Sequence, residues 1–345
     1  MPPLFGSLGP ARTGLPMKPR TSTRAFYAAW QTTAERSRFD LLHGYVYLRW
    51  PYFYIANAVG LHPLSRVMSA AYAVVTKLVP RRTLRTAAPP ATTAAPGSFA
   101  DGYHGKVVPL ADGRKLLTLK CDLSVRVPEH VLPFTTARDI VLRHPDHIAV
   151  LQCPCRSARA NPCQPLDVCL IVGEPFAGFV LEHHPKKSRR IDAAEAVAIL
   201  EAEDQRGHVH HAFFKDAMLG RYYAICNCCR CCCGAMQAHR HGIPMLASSG
   251  YLPEVDQARC IACGTCAKFC QFDAIDYVAG RKVINAGRCL GCGVCVTKCS
   301  HGAIALHRDP AHGTPLEIEQ LVATAARASA PVIPTPCAAS TRTAH

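Results

Sequence analysis

Cys260-Ile-Ala-Cys263-Gly-Thr-Cys266-Ala-Lys-Phe-Cys270 and Cys289-Leu-Gly-Cys292-Gly-Val-Cys295-Val-Thr-Lys-Cys299 are one motif written twice. The second copy starts 29 residues after the first, and the alignment also pairs Gly264 with Gly293, Ala274 with Ala303 and Ile275 with Ile304. An internal duplication is the simplest account. The whole chain has 20 cysteines in 345 residues, a length that needs no disulfide framework for stability, so the composition points to metal binding or redox chemistry.

The spacing has a physical reason. Three closely spaced thiolates in a tight loop reach three irons of one cubane, small residues such as Gly264 and Gly293 let the backbone bend close to it, and the fourth thiolate must come from elsewhere. Two such C-x2-C-x2-C-x3-C runs resemble the bacterial-type ferredoxin with two [4Fe-4S] clusters. The resemblance implies that Cys260, Cys263, Cys266 and Cys299 hold one cluster and Cys289, Cys292, Cys295 and Cys270 the other. It also implies a pseudo-twofold fold of short strand pairs and helices, consistent with Ile275 to Ile284 reading as a hairpin around Gly280. The family usually has Pro after each fourth cysteine, whereas Gln271 and Ser300 stand there in this chain, which puts the local loop packing in question. Two zinc sites are the alternative, which the triplet-plus-one spacing fits poorly.

Two further cysteine sets lie upstream. Cys153-Pro-Cys155-Arg, Cys163 and Cys169 fall within 17 residues, and Cys226, Cys228, Cys229, Cys231, Cys232 and Cys233 within eight. Each follows an apolar, strand-like run, His147 to Gln152 and Tyr222 to Ile225. Six cysteines in eight residues cannot all face one cluster. The first four can complete one site and four of the six another, or both segments can converge on a single site. One or two further Fe-S clusters, zinc, and thiols used for redox exchange or plain packing are the open readings. His208, His210, His211, His239 and His241 flank the second set as further candidates. The stretch from about residue 130 to 308 resembles a group of bacterial proteins in which a Cys-Pro-Cys-Arg segment and an Ile-Cys-Asn-Cys-Cys run precede a two-cluster module; the resemblance implies an iron-sulfur protein and supplies no substrate.

The predicted organisation is a disordered basic arm (1–24), an aromatic and basic helical segment (25–79), a Pro/Ala/Thr linker (80–100), a cysteine-rich α/β domain (101–250), the two-cluster module (251–308), and a helix with a loose tail (309–345). The expected fold class is α+β. Strands are expected at Lys115 to Lys120 and at His147 to Gln152. Helices are expected from Thr135 or Thr136, from Asp192 with a capping box to Glu195 and a stop at Gly207, and from Thr314-Pro-Leu-Glu317. Cys121 and Cys337 are isolated and carry no assigned role.

The charge of +15 is concentrated at one end, with 12 Lys/Arg against 2 Asp/Glu in residues 1–100. Residues 26 to 54 hold ten of the 25 aromatics and both tryptophans. That mixture suits either ordinary aromatic packing or peripheral contact with a membrane or partner through residues 26–79. No reading helix accompanies the basic arm, so nucleic acid is not an expected partner. A cytoplasmic location follows from the reduced thiols, with organellar targeting by the Pro-broken arm as the alternative.

The favoured function is an electron carrier or redox subunit that passes single electrons to a partner redox enzyme, with no catalytic side chains. The alternatives are an oxidoreductase with an unusual or open cluster in the 153–233 region, wired through the ferredoxin module, and a zinc- or cysteine-rich binding or sensing module. Neither a Walker loop nor a dinucleotide fingerprint is present.

Overall fold

The computed structural model describes residues 19–33, 37–67, 70, 103–120, 122–127, 131, 139–278 and 281–328. The linker, Cys121, Cys337, the turn at Gly280, the helix start at Thr135 or Thr136 and the C-terminal tail lie outside them.

Three helices come first: α1 (Thr21–Gln31), α2 (Arg38–Arg49) and α3 (Pro51–Ala58). The upstream sheet follows as β1 (Tyr103–Val108), α4 (Leu110–Leu117), β2 (Leu123–Arg126), β3 (Asp139–Gln152), α5 (Pro154–Ser157), β4 (Asp167–Glu174), α6 (Phe176–His183), β5 (Ser188–Ile191), α7 (Ala193–Gln205), β6 (Val209–Lys215), β7 (Arg221–Cys228), α8 (Gly234–Arg240) and β8 (Leu246–Ala247). The eight strands run in the order β2-β3-β4-β7-β6-β1-β8, with β5 added on β3. The remaining elements are β9 (Tyr251–Val255), α9 (Thr265–Phe269), β10 (Ile275–Val278), β11 (Arg281–Ile284), α10 (Val294–Thr297), β12 (Ile304–Arg308) and α11 (Ile318–Ala328). They include two small antiparallel pairs, β10 with β11 and β12 with β9.

Alternation along β3 sorts the core into two layers. Ala149 and Leu151 face a cluster with Phe26, Leu48, Phe176, Phe179 and Tyr223, which brings in α1, α2 and α6. Ile148 and Val150 face the opposite cluster with Leu116, Leu117, Leu200 and Leu321, which brings in α4, α7 and α11. The result is a sheet with helices on both faces, within an α+β chain. Aromatic packing is realised by Phe26 edge-on to Phe176 and Phe179 and by Tyr45 edge-on to Phe179.

Three expectations need correction. Lys115 to Lys120 is not a strand: Leu110, Gly113, Leu116 and Leu117 share one face of α4, and Gly113 allows close approach to Leu200 on α7. The helix expected at Thr314 begins at Ile318 instead, because the preceding residues are held extended: Lys106 Nζ donates to the Thr314 carbonyl at 2.8 Å, and Pro315 lies against Gly250, where φ is +88°. The basic arm also becomes helical earlier than expected, at Thr21, where the Ser22 amide and hydroxyl both donate to the Glu182 carboxylate. The helix starts at Asp192 as expected, with Asp192 accepting from the Glu195 amide, but the Glu195 carboxylate pairs with Arg189 at 2.5 Å instead of closing the box.

Among the described residues no helix is long and apolar enough to cross a membrane. The N-terminal helices are instead bound into the core at Gly44, where a Cβ would overlap the Ala217 carbonyl oxygen. Gly44→Ala should therefore destabilise by about 1–3 kcal/mol through overpacking, lowering the thermal midpoint, while the exposed Phe39→Ser should leave it unchanged. Equal midpoints would show that α2 packs loosely.

Candidate iron-sulfur and thiolate centres

The duplication seen in the sequence is repeated in the backbone. Ala262 and Gly291 have φ of +56° and +67°, Gly264 and Gly293 +83° and +84°, and Asp273 and Gly302 +51° and +56°. Each pair is one repeat apart, so the left-handed bends persist even where one copy has a residue other than glycine. Gly264 and Gly293 turn the chain directly into α9 and α10, which carry Cys266 and Cys295 inward. The Ala274 and Ala303 amides each donate to a sulfur, Cys270 and Cys299 respectively, both at 3.3 Å, and the Gly291 amide donates to Cys289 at 3.4 Å.

Two pockets follow. Cys260, Cys263, Cys266 and Cys299 wall the first, together with Ile261, Lys282, His301 and Ile304; Cys270, Cys289, Cys292 and Cys295 wall the second, together with Phe272, Ile275, Ile284 and Val294. Each fourth thiol thus arrives from the opposite copy. The pockets differ in exposure: Cys263 is exposed and Ile261 is 61% exposed, whereas Cys295 is buried and Cys292 and Val294 pack against the upstream core. Burial pushes the Cys295 thiol up to about 12 and the Cys292 thiol well above its ordinary value, so these sulfurs become thiolates only beside a cation. Four sulfurs converging on one space, with backbone N–H groups aimed at some of them, suit a cubane.

Residues 259–304 match the family model of the 4Fe-4S dicluster domain. The chain carries an iron-sulfur module. The match spans the duplicated motif and leaves the upstream sheet outside it. No curated protein matches the chain.

The ten upstream thiols divide differently from either expected grouping. Cys163 leaves its sequence neighbours and joins Cys229, Cys231 and Cys232, all four Sγ atoms lying within 4.8 Å of one another. The other six make a continuous chain of neighbouring thiols, Cys226 to Cys169 to Cys153 to Cys155 to Cys233 to Cys228. Cys169 and Cys226 face each other across the β4–β7 pairing, and Cys153 follows the end of β3 within hydrogen-bonding reach of Cys169. The adjacent Cys155 thiol and burial push Cys153 up to about 12, against a hydrogen bond with Cys169 that lowers it; the Cys233 hydrogen bond lowers Cys228, but burial and the nearby Cys226, Cys153 and Cys155 thiols outweigh it and push that thiol up to about 12 as well. Tyr47 and Tyr223, whose hydroxyls are 3.1 Å apart, lie over this inner group, and Lys215 Nζ sits 3.6 Å above the Tyr47 ring.

Four sets of contacts were not foreseen from the sequence. Arg156, 1% exposed, donates to Glu203 at 2.5 Å and to the Asn227 carbonyl at 3.1 Å, so the Cys-Pro-Cys-Arg loop is tied to α7 and β7. His208 and His210 are taken up nearby, their Nδ1 atoms 2.6 Å from Glu203 and Asn227. Gln271 accepts from the Arg230 amide at 3.0 Å and donates to the Gly207 carbonyl at 2.9 Å, bonds that proline at that position could not make. Lys282 is buried in the first pocket beside Cys266; burial opposes its charge, but the Cys266 sulfur overcomes this and holds its pKa above the ordinary value.

Arg156→Met should lower stability by about 3–5 kcal/mol, toward the lower end because Arg206 and His208 remain on Glu203, as read by thermal unfolding. Lys282→Gln should lower the midpoint potential of one cluster by on the order of tens of mV with iron content unchanged, because a cation favours the more negative reduced state. Unchanged potentials would show that Lys282 is screened from the pocket.

Proposed function

We propose that the protein is an electron carrier with one [4Fe-4S] cluster in each pocket of its C-terminal module, passing single electrons to a partner redox protein. The observation that carries this reading is the pair of four-thiol pockets, each completed by the opposite copy of the motif. Bound there, the clusters supply one-electron capacity. The chain does the rest: the eight thiolates hold the irons, the Ala274 and Ala303 amides and Lys282 offset negative charge, and Phe272, Ile275, Ile284 and Val294 keep water from the inner pocket. Around the outer pocket Ile261 and Tyr277 are exposed, an apolar rim suited to brief contact with a partner. The inner pocket packs on the upstream core through Phe272, Cys292 and Val294.

Anaerobically purified protein should contain at least eight irons with matching acid-labile sulfide and show EPR of reduced cubanes. Absence of sulfide would overturn the reading. Ile261→Asp should slow electron exchange with an outer-face acceptor without loss of iron.

The six inner thiols favour a second reading, an oxidoreductase whose unusual or open cluster in the 153–233 region is wired through the module. They outnumber the four ligands of an ordinary cubane and lie beside the hydrogen-bonded pair of half-buried Tyr47 and buried Tyr223. This reading requires spectra that respond to small exogenous ligands, and unresponsive spectra would sink it.

The outward faces of the N-terminal helices support a peripheral contact with an anionic membrane surface. Phe39, Leu42, Trp50, Phe53, Leu61 and Leu64 are exposed there, and Arg38, Arg49 and Arg66 accompany them with Asp40 as the only acid among the described residues from 19 to 67. Vesicles with anionic lipid should co-sediment the protein, and Leu42→Asp with Leu64→Asp should abolish this while thermal stability holds; unaltered sedimentation would exclude the contact.

A further inference from the structure

We infer that Cys163, Cys229, Cys231 and Cys232 bind a single zinc ion, a site separate from the iron-sulfur pockets and from the six inner thiols. The geometry decides between one ion and a cluster. A tetrahedral tetrathiolate zinc, with Zn–S bonds of about 2.3 Å, holds its sulfurs about 3.8 Å apart. Here the four Sγ atoms all fall within 4.8 Å of one another, with Cys163 3.1 Å from Cys231 and Cys231 3.8 Å from Cys232. A cubane places an iron and its sulfide-bridged neighbour between each pair of thiolates and needs them wider. The chain provides its own comparison: among the described residues, neither ferredoxin quartet brings its four sulfurs within that 4.8 Å limit.

The backbone around the quartet is built to hold this shape. Three of the thiols come from one tight turn, closed by the Cys232 and Cys233 amides donating to the Cys229 carbonyl at 3.3 and 3.0 Å. The fourth comes from a loop distant in sequence and is braced by Arg159, which donates to the Cys232 carbonyl at 3.2 Å and to Gln237 at 2.6 Å. Gln237 in turn donates to the Cys231 carbonyl at 2.9 Å. Four thiolates on one divalent ion carry two net negative charges, and the Arg159 and Arg230 side chains beside the turn are of the sign to offset them. Cys229 and Cys232 are buried while Cys231 is exposed, so the ion enters from the surface.

Zinc has no accessible redox couple, so the ion acts as a fastener. It ties the Cys163 loop to the turn that carries Arg230. Arg230 grips the iron-sulfur module, through its amide to Gln271 and through its guanidinium to Asp273 at 2.5 Å. The site therefore fixes the joint between the upstream sheet and the module.

Metal content of the full chain, purified anaerobically, tests this. One zinc per chain is expected, with four sulfurs at about 2.3 Å and no iron neighbour by zinc-edge X-ray absorption. Cys163→Ser and, separately, Cys231→Ser should lose most of the zinc while iron, sulfide and the cubane EPR stay unchanged. Loss of about four irons with sulfide in these variants would show a cubane instead, and a high-spin ferric tetrathiolate signal would show a single iron. If neither variant folds, alkylation of the wild-type chain before and after chelation decides: new labelling at Cys163, Cys229, Cys231 and Cys232 supports the site, and labelling confined to other thiols overturns it.

Discussion

Burying a sulfur that must become a thiolate requires a cation beside it, and this constraint organises the molecule. Eight of the described cysteines are buried. Their neighbours are mostly other thiols and apolar side chains, which push Cys153, Cys228 and Cys295 up to about 12. Left without metal these groups stay neutral, and a row of neutral thiols is a poor core compared with methyl groups. The fold makes sense when each set of sulfurs is treated as a container. Strand ends, tight turns and left-handed bends at Ala262, Gly264, Gly291 and Gly293 bring sulfur to a common point, and helices cover what remains open.

The containers are ordered in space. The inner pocket of the module rests on the upstream core through Phe269, Phe272, Leu290 and Val294, and Gln271 joins Gly207 to Arg230 within the same contact. The outer pocket ends at an exposed apolar rim. An electron held near the upstream sheet would thus have the inner pocket as its next site and the outer pocket as its exit. The arrangement sets the order of the sites, and their reduction potentials set the direction of transfer between them.

Much of the module was legible in the sequence because its ligands are local: seven residues carry three of four thiols, and the glycines mark the bends. Ala262 and Asp273 adopt the same bends without glycine, which only the duplication could suggest. The upstream partition was not legible. Cys163 lies close to Cys155 and Cys169 in sequence, but sheet pairing of β4 with β7 brings Cys169 onto Cys226, and the turn after β7 sends Cys229, Cys231 and Cys232 outward to meet Cys163. Such pairings are non-local, and spacing along the chain carries no trace of them. The same holds for Lys115 to Lys120, where a close approach between two helices selects helix over a short apolar run. It holds also for Gln271, whose departure from the family pattern was visible and whose hydrogen bonds were not.

The aromatic N-terminal segment connects these points. One side of α2 and α3 places Tyr47, Tyr52 and Tyr54 against the sheet, with Tyr52 donating to the Gln152 carbonyl at 3.0 Å one residue before Cys153. Val59, at the end of α3, lies close to Gly234 beside Cys155, so the cover extends across the inner thiols. The other side exposes Trp50, Phe53 and Leu42. Large rings serve both purposes: they exclude water from sulfur on one side and present apolar area with little conformational entropy loss on the other. A contact made on the outer side is therefore separated from the inner thiols by the thickness of one helix, and any shift of α2 there would move Tyr47 relative to Tyr223, the hydrogen-bonded pair that closes the inner group.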